Sequence, residues 1–287
     1  MPGAVTAEDL DAFAQRGFVV VPGLLTQEEL DDFGRSVDQA VARRTKGDNR
    51  ALAEKSRYEQ SFIQCINLWE DAPGVRPLTF HPRIGEAAAR LIGAERVRLW
   101  HDQALYKEPG GRDTDPHQDL PYWPIAEPDA VTAWIPLDGA DPGTGVLGYV
   151  DGSHRLGIRK FVNIFTGDPG DVLTEQGLRE ADLVFPEVPR GAVAFHHCLT
   201  FHLAGPNRTG RVRRVHTAIY FRDSCTRGKR FPHPSVDRAG IAVGEVIASD
   251  VTPVAWPRPA GDLPSPPVPM PHAVGPWPGA DRPAGGP

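Results

Sequence analysis

The chain has 287 residues, a length that allows one large β-rich or mixed domain or two small domains. Apolar residues make up 40% and charged residues 24% of the chain, which is ordinary for a globular protein. The net charge of −6 offers no overall basic field, which argues against nucleic acid or a membrane surface as a partner. The three cysteines are widely spaced, and the sequence shows neither a signal peptide nor an apolar run of ~20 residues. We therefore expect a cytoplasmic protein.

The first part of the chain is predicted to be largely helical. Two segments, Thr6-Ala-Glu-Asp9 and Thr26-Gln-Glu-Glu29, each place a hydroxyl three residues before an acid, which is the capping-box pattern of a helix start. Between them, the apolar run at 17–22 predicts a short buried strand. After the second start, apolar residues recur at helical spacing, so one face of that helix is expected to pack on a core. A third helix is predicted at 84–91.

From residue 97 the pattern changes to short β-strands separated by proline, glycine and aspartate. The predicted strands are 97–106, 131–137, 146–150, 192–196 and 212–221. Helices followed by many short strands indicate a mainly β fold with flanking helices, either a barrel or a jelly roll. We expect one domain over 1–287, with an N-terminal helical layer at 1–95 and a β core at 96–225.

Two irregular segments are candidates for a functional role. The connection at 155–185 is long for a compact domain, and such loops are often lids or binding elements. The proline-rich segment at 250–287 is either a flexible tail or an extended strap that packs on the barrel through Trp256 and Trp277. We favour the strap.

The densest chemical signal is His117-Gln-Asp119 together with His202. Residues two apart on an extended segment point to the same side, so His117 and Asp119 can act together. A second imidazole from a distant strand, that of His202, can complete one face of an octahedron. Two imidazoles and a carboxylate suit Fe(II) and leave positions open for a co-substrate and O₂. A triplet of this kind also occurs by chance, and His117 would then be an ordinary surface histidine.

An arginine that follows the second histidine makes the iron-site interpretation more specific. In the predicted strand 212–221, Arg213 starts the mainly apolar face, which we expect to point into the barrel, and Arg214 starts the opposite face. A buried guanidinium is costly without an anion, and a dicarboxylate co-substrate would supply a carboxylate that the planar guanidinium can bind through two hydrogen bonds. Arg211 is two residues before Arg213 and is expected on the same face of the strand, but it lies nearer the turn. It is therefore the second candidate for the carboxylate contact.

Three longer groups of segments carry a family resemblance. They are 105–111 with 116–124, then 133–138 with 145–147 and 151–154, and finally 202–213. On these segments, the chain from residue 17 to residue 220 resembles the phytanoyl-CoA dioxygenase-like family of Fe(II)/2-oxoglutarate-dependent oxygenases. The resemblance implies a double-stranded β-helix, which is a jelly-roll barrel.

The resemblance also implies a set of site residues. Iron ligands are expected at His117, Asp119 and His202, and a salt bridge to 2-oxoglutarate is expected at Arg213. Three further residues are expected near the co-substrate: Gln103, Lys107 and Trp134. An exposed lysine and a core tryptophan are equally ordinary explanations for the last two.

The implied activity is hydroxylation of a small organic molecule, such as a biosynthetic intermediate, with Fe(II), 2-oxoglutarate and O₂. Asp119 argues against halogenation, because related halogenases carry a small residue at that position. Oxidative cyclisation, desaturation and epimerisation stay open, and so does a binding protein without turnover on the same fold. The substrate and the oligomeric state are also open.

The chain departs from the family pattern at Ala204, where a small hydroxyl residue often contacts 2-oxoglutarate, and at Ala192, which stands in place of an aspartate. The first departure leaves the co-substrate one hydrogen bond short unless Thr200 or water supplies it.

Four aromatic residues are candidates for an apolar wall and lid or for ordinary core packing: Tyr122, Trp123, Phe161 and Phe165. Three histidines are candidates for contacts near the site or for structural roles: His101, His196 and His197. The basic run at 222–230 could meet an acyl-CoA phosphate, but solvated surface charge is the simpler explanation.

Overall fold

The computed structural model describes residues 3–165, 170–259 and 261–269 of the chain. The first two helices begin at the predicted capping boxes. The hydroxyls of Thr6 and Thr26 accept hydrogen bonds from the backbone N–H groups of Asp9 and Glu29, and each acid bonds back to its cap. The helices are α1 (Ala7–Arg16), α2 (Gln27–Arg44), α3 (Leu68–Asp71), α4 (Arg76–Thr79), α5 (Pro82–Leu91), α6 (Val172–Glu175) and α7 (Pro234–Asp237). Within the described ranges, no helix has the length and apolar character needed to cross a membrane.

Ten strands in the described ranges form two antiparallel sheets. They are β1 (Phe18–Val21), β2 (Ile63–Ile66), β3 (Val97–Lys107), β4 (Ala130–Pro136), β5 (Leu147–Val150), β6 (Leu183–Val184), β7 (Val193–His197), β8 (His202–Ala204), β9 (Arg213–Arg222) and β10 (Val254–Trp256). The larger sheet has the order β1-β7-β4-β9-β3-β10, with β2 also paired to β3, and the smaller sheet has the order β6-β5-β8. The five strands predicted after residue 97 are β3, β4, β5, β7 and β9, with ends that differ by no more than one residue. The predicted fold class, mainly β with flanking helices, is confirmed.

The larger sheet separates the helical layer from a cavity. On β9, Ala218 and Tyr220 pack in a core with apolar residues of α2 and α5. Arg213 and Thr217, on the other face of the same strand, line the cavity. The opposite wall of the cavity comes from β5 and β8, so the cavity lies between the two sheets. Strand alternation therefore directs Arg213 inward, as predicted.

The segment predicted as a strap is described up to residue 269, apart from residue 260. Its first part forms β10, in which Val254 pairs with Arg98 of β3. Half-buried Trp256 packs against α5 so closely that a Cβ atom added at Gly85 would lie 3.0 Å from the Trp256 Cβ. Trp277, the other predicted contact, lies outside the described residues.

Strand β3 is anchored on its helical face by a buried carboxyl group. Asp102 is 0% exposed and accepts hydrogen bonds from the backbone N–H of Trp69 at 3.0 Å and from the Thr79 hydroxyl at 2.7 Å. Burial raises the pKa of Asp102 from 3.8 to about 7, although the Thr79 hydrogen bond acts in the opposite direction. Because the adjacent residues His101 and Gln103 line the cavity, this anchor also positions one wall of the site.

Replacing Asp102 with asparagine should make the stability of the protein depend less on pH. The folded protein keeps a proton on Asp102 up to about pH 7, whereas the unfolded chain loses it near 3.8, so native stability falls as pH rises between these values. Relative to the native protein, Asp102→Asn should therefore gain free energy of unfolding as pH rises from about 4 to about 7, measured by urea denaturation.

The matched control for this experiment is Asp11→Asn, on the exposed side of α1. That variant should show no gain in the free energy of unfolding over the same pH range. If Asp102→Asn and the native protein lose stability in parallel as pH rises, Asp102 is not protonated in the folded state.

Candidate metal and co-substrate site

Two histidines meet at an isolated antiparallel bridge between β8 and the segment that follows β3. The backbone N–H groups of His117 and His202 each donate to the other's carbonyl at 3.0 Å. The Asp119 Oδ1 atom lies 4.0 Å from His117 Nε2 and 3.7 Å from His202 Nε2. One donor atom from each side chain lies within 4.8 Å of the other two. The structure thus brings the three predicted ligands together.

Both imidazoles are held in the tautomer that leaves a ligand nitrogen facing Asp119. His117 Nδ1 lies 2.9 Å from the carbonyl oxygen of Asp115, and His202 Nδ1 lies 3.0 Å from that of Thr200. A carbonyl oxygen only accepts, so each Nδ1 carries the proton and each Nε2 keeps its lone pair. Burial lowers the pKa of both histidines to about 4, so both are neutral at neutral pH.

The carboxylate of Asp119 is oriented through its second oxygen. Asp119 Oδ2 accepts hydrogen bonds from the Thr132 hydroxyl at 2.8 Å and from His196 Nε2 at 3.2 Å, which leaves Oδ1 toward the two ligand imidazoles. Burial by itself would raise the pKa of Asp119, but His202 and the hydrogen bond from His196 outweigh it and hold that pKa well below the ordinary value. Two neutral nitrogens and one ionised carboxylate form a donor set that fits Fe(II).

A buried arginine faces the same cavity. Arg213 is 4% exposed, its Nη1 donates to the carbonyl of Gly145, and its Nε has no hydrogen-bond partner among the described residues. No carboxylate in the described part of the chain pairs with it. Burial lowers the pKa of Arg213 to about 9, so it remains a cation at neutral pH. A buried cation without a carboxylate partner fits an anionic ligand, and a dicarboxylate can supply one.

The three residues predicted near the co-substrate do not all reach the cavity. Gln103 and Trp134 line it, and the Trp134 ring centroid lies 5.3 Å from Arg213 Cζ. Lys107 lies opposite Arg213 in the β3–β9 register, but its side-chain nitrogen donates to the carbonyl of Arg112 and it is not among the lining residues. Burial, reinforced by Arg213, lowers the pKa of Lys107 to about 6, which lets two basic side chains lie side by side.

The hydroxyl that is missing at Ala204 does not come from Thr200, whose Oγ1 donates to the carbonyl of Gly17 at 2.7 Å. Thr114 and Thr217 place hydroxyls in the cavity instead. Thr114 Oγ1 accepts the Ala204 N–H at 2.6 Å, and the buried Thr217 Oγ1 has no hydrogen-bond partner among the described residues. Both hydroxyls therefore keep hydrogen-bonding capacity for a ligand.

Sequence reasoning missed several lining residues. Thr132 lies two positions before Trp134 on β4, so strand alternation could have identified it. Tyr58 comes from a polar segment without a recognisable pattern, and nothing in the sequence pointed to the cavity. Of the three histidines left open, His101 and His196 line the cavity, whereas His197 packs beside Phe13 of α1.

The chain is similar in sequence to a known protein family and to several of its members. The phytanoyl-CoA dioxygenase (PhyH) family model matches residues 13–215. A probable alpha-ketoglutarate-dependent hypophosphite dioxygenase of Stutzerimonas stutzeri is 24% identical over 72% of this chain and 76% of its own length. The phytanoyl-CoA dioxygenase domain-containing protein 1 of Bos taurus is 26% identical over 74% of this chain and 89% of its own length.

Among solved structures, the non-heme alpha-ketoglutarate-dependent carbocyclase SnoK from nogalamycin biosynthesis is similar to this chain. The two structures superpose with a TM-score of 0.73 at 26% sequence identity, over 88% of this chain and 99% of SnoK. The similarity therefore extends over most of the fold.

Removing the Thr132 hydroxyl should weaken metal binding. Thr132→Val keeps the β-branched shape but deletes one of the two hydrogen bonds that orient Asp119. Loss of such a supporting bond typically lowers metal affinity about tenfold or more, so we expect that decrease in anaerobic Fe(II) titrations. Thr132→Ser is the matched control and should bind Fe(II) as the native protein does. Equal affinity in the valine variant would show that Thr132 does not orient the ligand.

Proposed function

The chain belongs to the phytanoyl-CoA dioxygenase (PhyH) family, and from this membership we propose that His117, Asp119 and His202 bind its iron. The protein is a non-haem Fe(II) and 2-oxoglutarate-dependent oxygenase that uses O₂ and acts on a small molecule. The ligand assignment is supported by the convergence of two neutral imidazoles and one ionised carboxylate on one side of the cavity.

We assign the 2-oxoglutarate contact to Arg213. The observation that carries this assignment is a buried guanidinium with no carboxylate partner in the cavity that also contains the three proposed ligands. A carboxylate of the co-substrate would supply the missing anion through charge-assisted hydrogen bonds. The hydroxyls of Thr114 and Thr217 are the candidates to replace the hydroxyl that is absent at Ala204.

Bound iron, together with 2-oxoglutarate and O₂, supplies oxidation of a substrate C–H bond with release of succinate and CO₂. The protein's own residues perform the positioning. His196 and Thr132 fix the direction of Asp119, and the carbonyls of Asp115 and Thr200 fix the two ligand imidazoles. Most of the lining side chains are buried or half-buried, which limits the access of water to the reacting groups.

Hydroxylation is the outcome that we propose first, because it requires nothing beyond this site and a positioned substrate. The similarity to a carbocyclase favours oxidative cyclisation as a second outcome at the same centre. Asp119 provides a carboxylate ligand and so disfavours halogenation. A binding protein without turnover is disfavoured because donor atoms of all three proposed ligands lie within 4.8 Å of one another. We also propose a cytoplasmic location, which is supported by three buried cysteines that form no disulfide.

The iron-site assignment predicts a specific spectroscopic result. Anaerobic addition of Fe(II) and 2-oxoglutarate should produce a weak visible charge-transfer band in the native protein. His117→Ala and Asp119→Ala should lose both this band and the formation of succinate, because each removes a ligand. His197→Ala is the matched control, since that imidazole packs beside α1, and it should retain the band. Turnover in either ligand variant would mean that the ligands are wrongly assigned.

The co-substrate assignment predicts a large change in KM for one arginine only. Arg213→Ala removes the cationic partner of a buried carboxylate, which typically costs about 2 kcal/mol or more, so the KM for 2-oxoglutarate should rise roughly 30-fold or more. Arg211→Ala is the control, because Arg211 is exposed, and it should leave that KM unchanged. A rise in KM with Arg211→Ala and none with Arg213→Ala would transfer the role to Arg211.

A further inference from the structure

Few of the side chains that line the cavity are charged. Among the described residues that line it, only Asp119 and Arg213 carry a formal charge apart from histidines, and the cavity contains no lysine or glutamate side chain. Under the proposed function, on which this inference rests, Asp119 binds iron and Arg213 binds 2-oxoglutarate. No permanently charged lining group is then left for the substrate. An ionic group on a substrate would lose its hydration in this cavity without gaining a partner of opposite charge.

One wall of the cavity is a continuous set of aromatic rings. Phe62 and Tyr58 have ring centroids 5.1 Å apart, and Tyr58 and Phe165 have centroids 4.8 Å apart. Phe165 lies 5.7 Å from Tyr122, whose ring meets the His117 imidazole edge to face at 5.7 Å. The wall therefore extends from the segment before β2, through Phe165, to one of the proposed iron ligands.

The phenol groups of this wall are engaged elsewhere, so the wall is apolar and uncharged. The Tyr58 hydroxyl donates to Gln64 Oε1 at 2.7 Å, and the Tyr122 hydroxyl donates to the carbonyl of Val162. Burial also raises the pKa of Tyr58 well above the ordinary value, so its phenol stays protonated. Of the other two aromatic candidates from the sequence, Trp123 lines the cavity, whereas Phe161 does not line it and packs on Tyr122 at 4.9 Å.

Two arginines of the basic run at 222–230 already form ion pairs. Arg222 bonds to Asp129 and Arg227 bonds to Asp237, so the run at 222–230 offers few free guanidiniums for an acyl-CoA phosphate. On the segment that leads to His117, Asp115 lies within 4.0 Å of the guanidiniums of two arginines, Arg57 and Arg112. With a net charge of −6, the chain as a whole also gives no general attraction to an anion.

We propose that the substrate is an uncharged molecule that contains a flat ring system, and that this ring packs against Tyr58, Tyr122 and Phe165. Aromatic side chains bind planar rings through offset or edge-to-face contacts, which a saturated ring or a branched chain cannot reproduce. The wall ends beside His117, so a ring held there lies next to the proposed iron position. The aromatic wall supplies affinity, and the ligand triad does not distinguish one substrate from another.

The proposal can be tested with three two-ring probes of similar size. They are 2-naphthol, which is flat and neutral, naphthalene-2-sulfonate, which is flat and anionic, and decahydro-2-naphthol, which is neutral and not flat. Binding is measured by isothermal titration calorimetry on the full chain, with and without Mn²⁺ and 2-oxoglutarate. We expect 2-naphthol to bind at least about tenfold more tightly than either of the other two probes.

Substitutions in the aromatic wall test where the probe binds. Tyr58→Leu and Phe165→Leu each remove a ring but keep an apolar side chain, so each should weaken 2-naphthol binding about threefold or more and leave decahydro-2-naphthol unaffected. Phe33→Leu is the matched control, because Phe33 packs against His81 in the helical layer, and it should change neither affinity. An equal effect of all three substitutions would place the probe outside the cavity and overturn the proposal.

Three other results, each measured with Mn²⁺ and 2-oxoglutarate present, would also overturn it. Tighter binding of the sulfonate would indicate an anionic substrate, equal binding of the saturated alcohol would indicate an aliphatic substrate, and no binding of any probe would exclude a ring site. The calorimetry requires no turnover, so its result is separate from the iron assignment. Selective 2-naphthol binding without the Fe(II) and 2-oxoglutarate band would leave the ring site intact and reject the proposed function.

Discussion

The paired backbone hydrogen bonds between His117 and His202 are the constraint on which the site depends. They are part of a longer alignment, because Thr114 N donates to the carbonyl of Ala204 and Leu120 N donates to the carbonyl of Cys198. The segment with the first histidine and the aspartate is thus fixed along the segment with the second histidine. Strand geometry then determines which side chains face the cavity, and the carbonyls of the same two segments fix the tautomers. The backbone pairing therefore positions the three proposed ligands.

The charges in the cavity explain why the site suits a metal ion and an anionic co-substrate. The cavity contains a carboxylate whose neighbours keep it ionised and a guanidinium that burial does not neutralise. Burial of such groups is unfavourable unless they are paired, and the described residues provide pairing for Asp119 only in the form of hydrogen bonds. A divalent cation near Asp119 and a dicarboxylate near Arg213 would compensate both. Lys107 avoids the same cost differently, because its lowered pKa permits the neutral amine.

Sequence patterns within a single segment predicted the features that depend on that segment alone. Capping boxes gave the starts of α1 and α2, and strand alternation gave the inward direction of Arg213. The grouping of His117, Asp119 and His202 was expected from the family resemblance, because spacing alone cannot bring two distant segments together. Tyr58 could not be predicted, since its place on the wall depends on how the segment before β2 folds over the cavity. Thr200 was a wrong candidate for the missing hydroxyl because its side chain turns toward Gly17.

The two ends of the cavity are built differently, and this difference bears on the reaction outcome. The proposed iron ligands and Arg213 lie on β8, on β9 or on the segment that pairs with β8, whereas most of the aromatic wall lies on other connections. Strand-borne groups hold a fixed geometry, and groups on connections can change without disturbing it. A neutral ring makes no ionic contact with the fixed end, so its orientation is determined by the wall. The choice between hydroxylation and cyclisation is then a question of which substrate carbon Tyr122 and Phe165 place beside the iron, and the ligand triad is compatible with either.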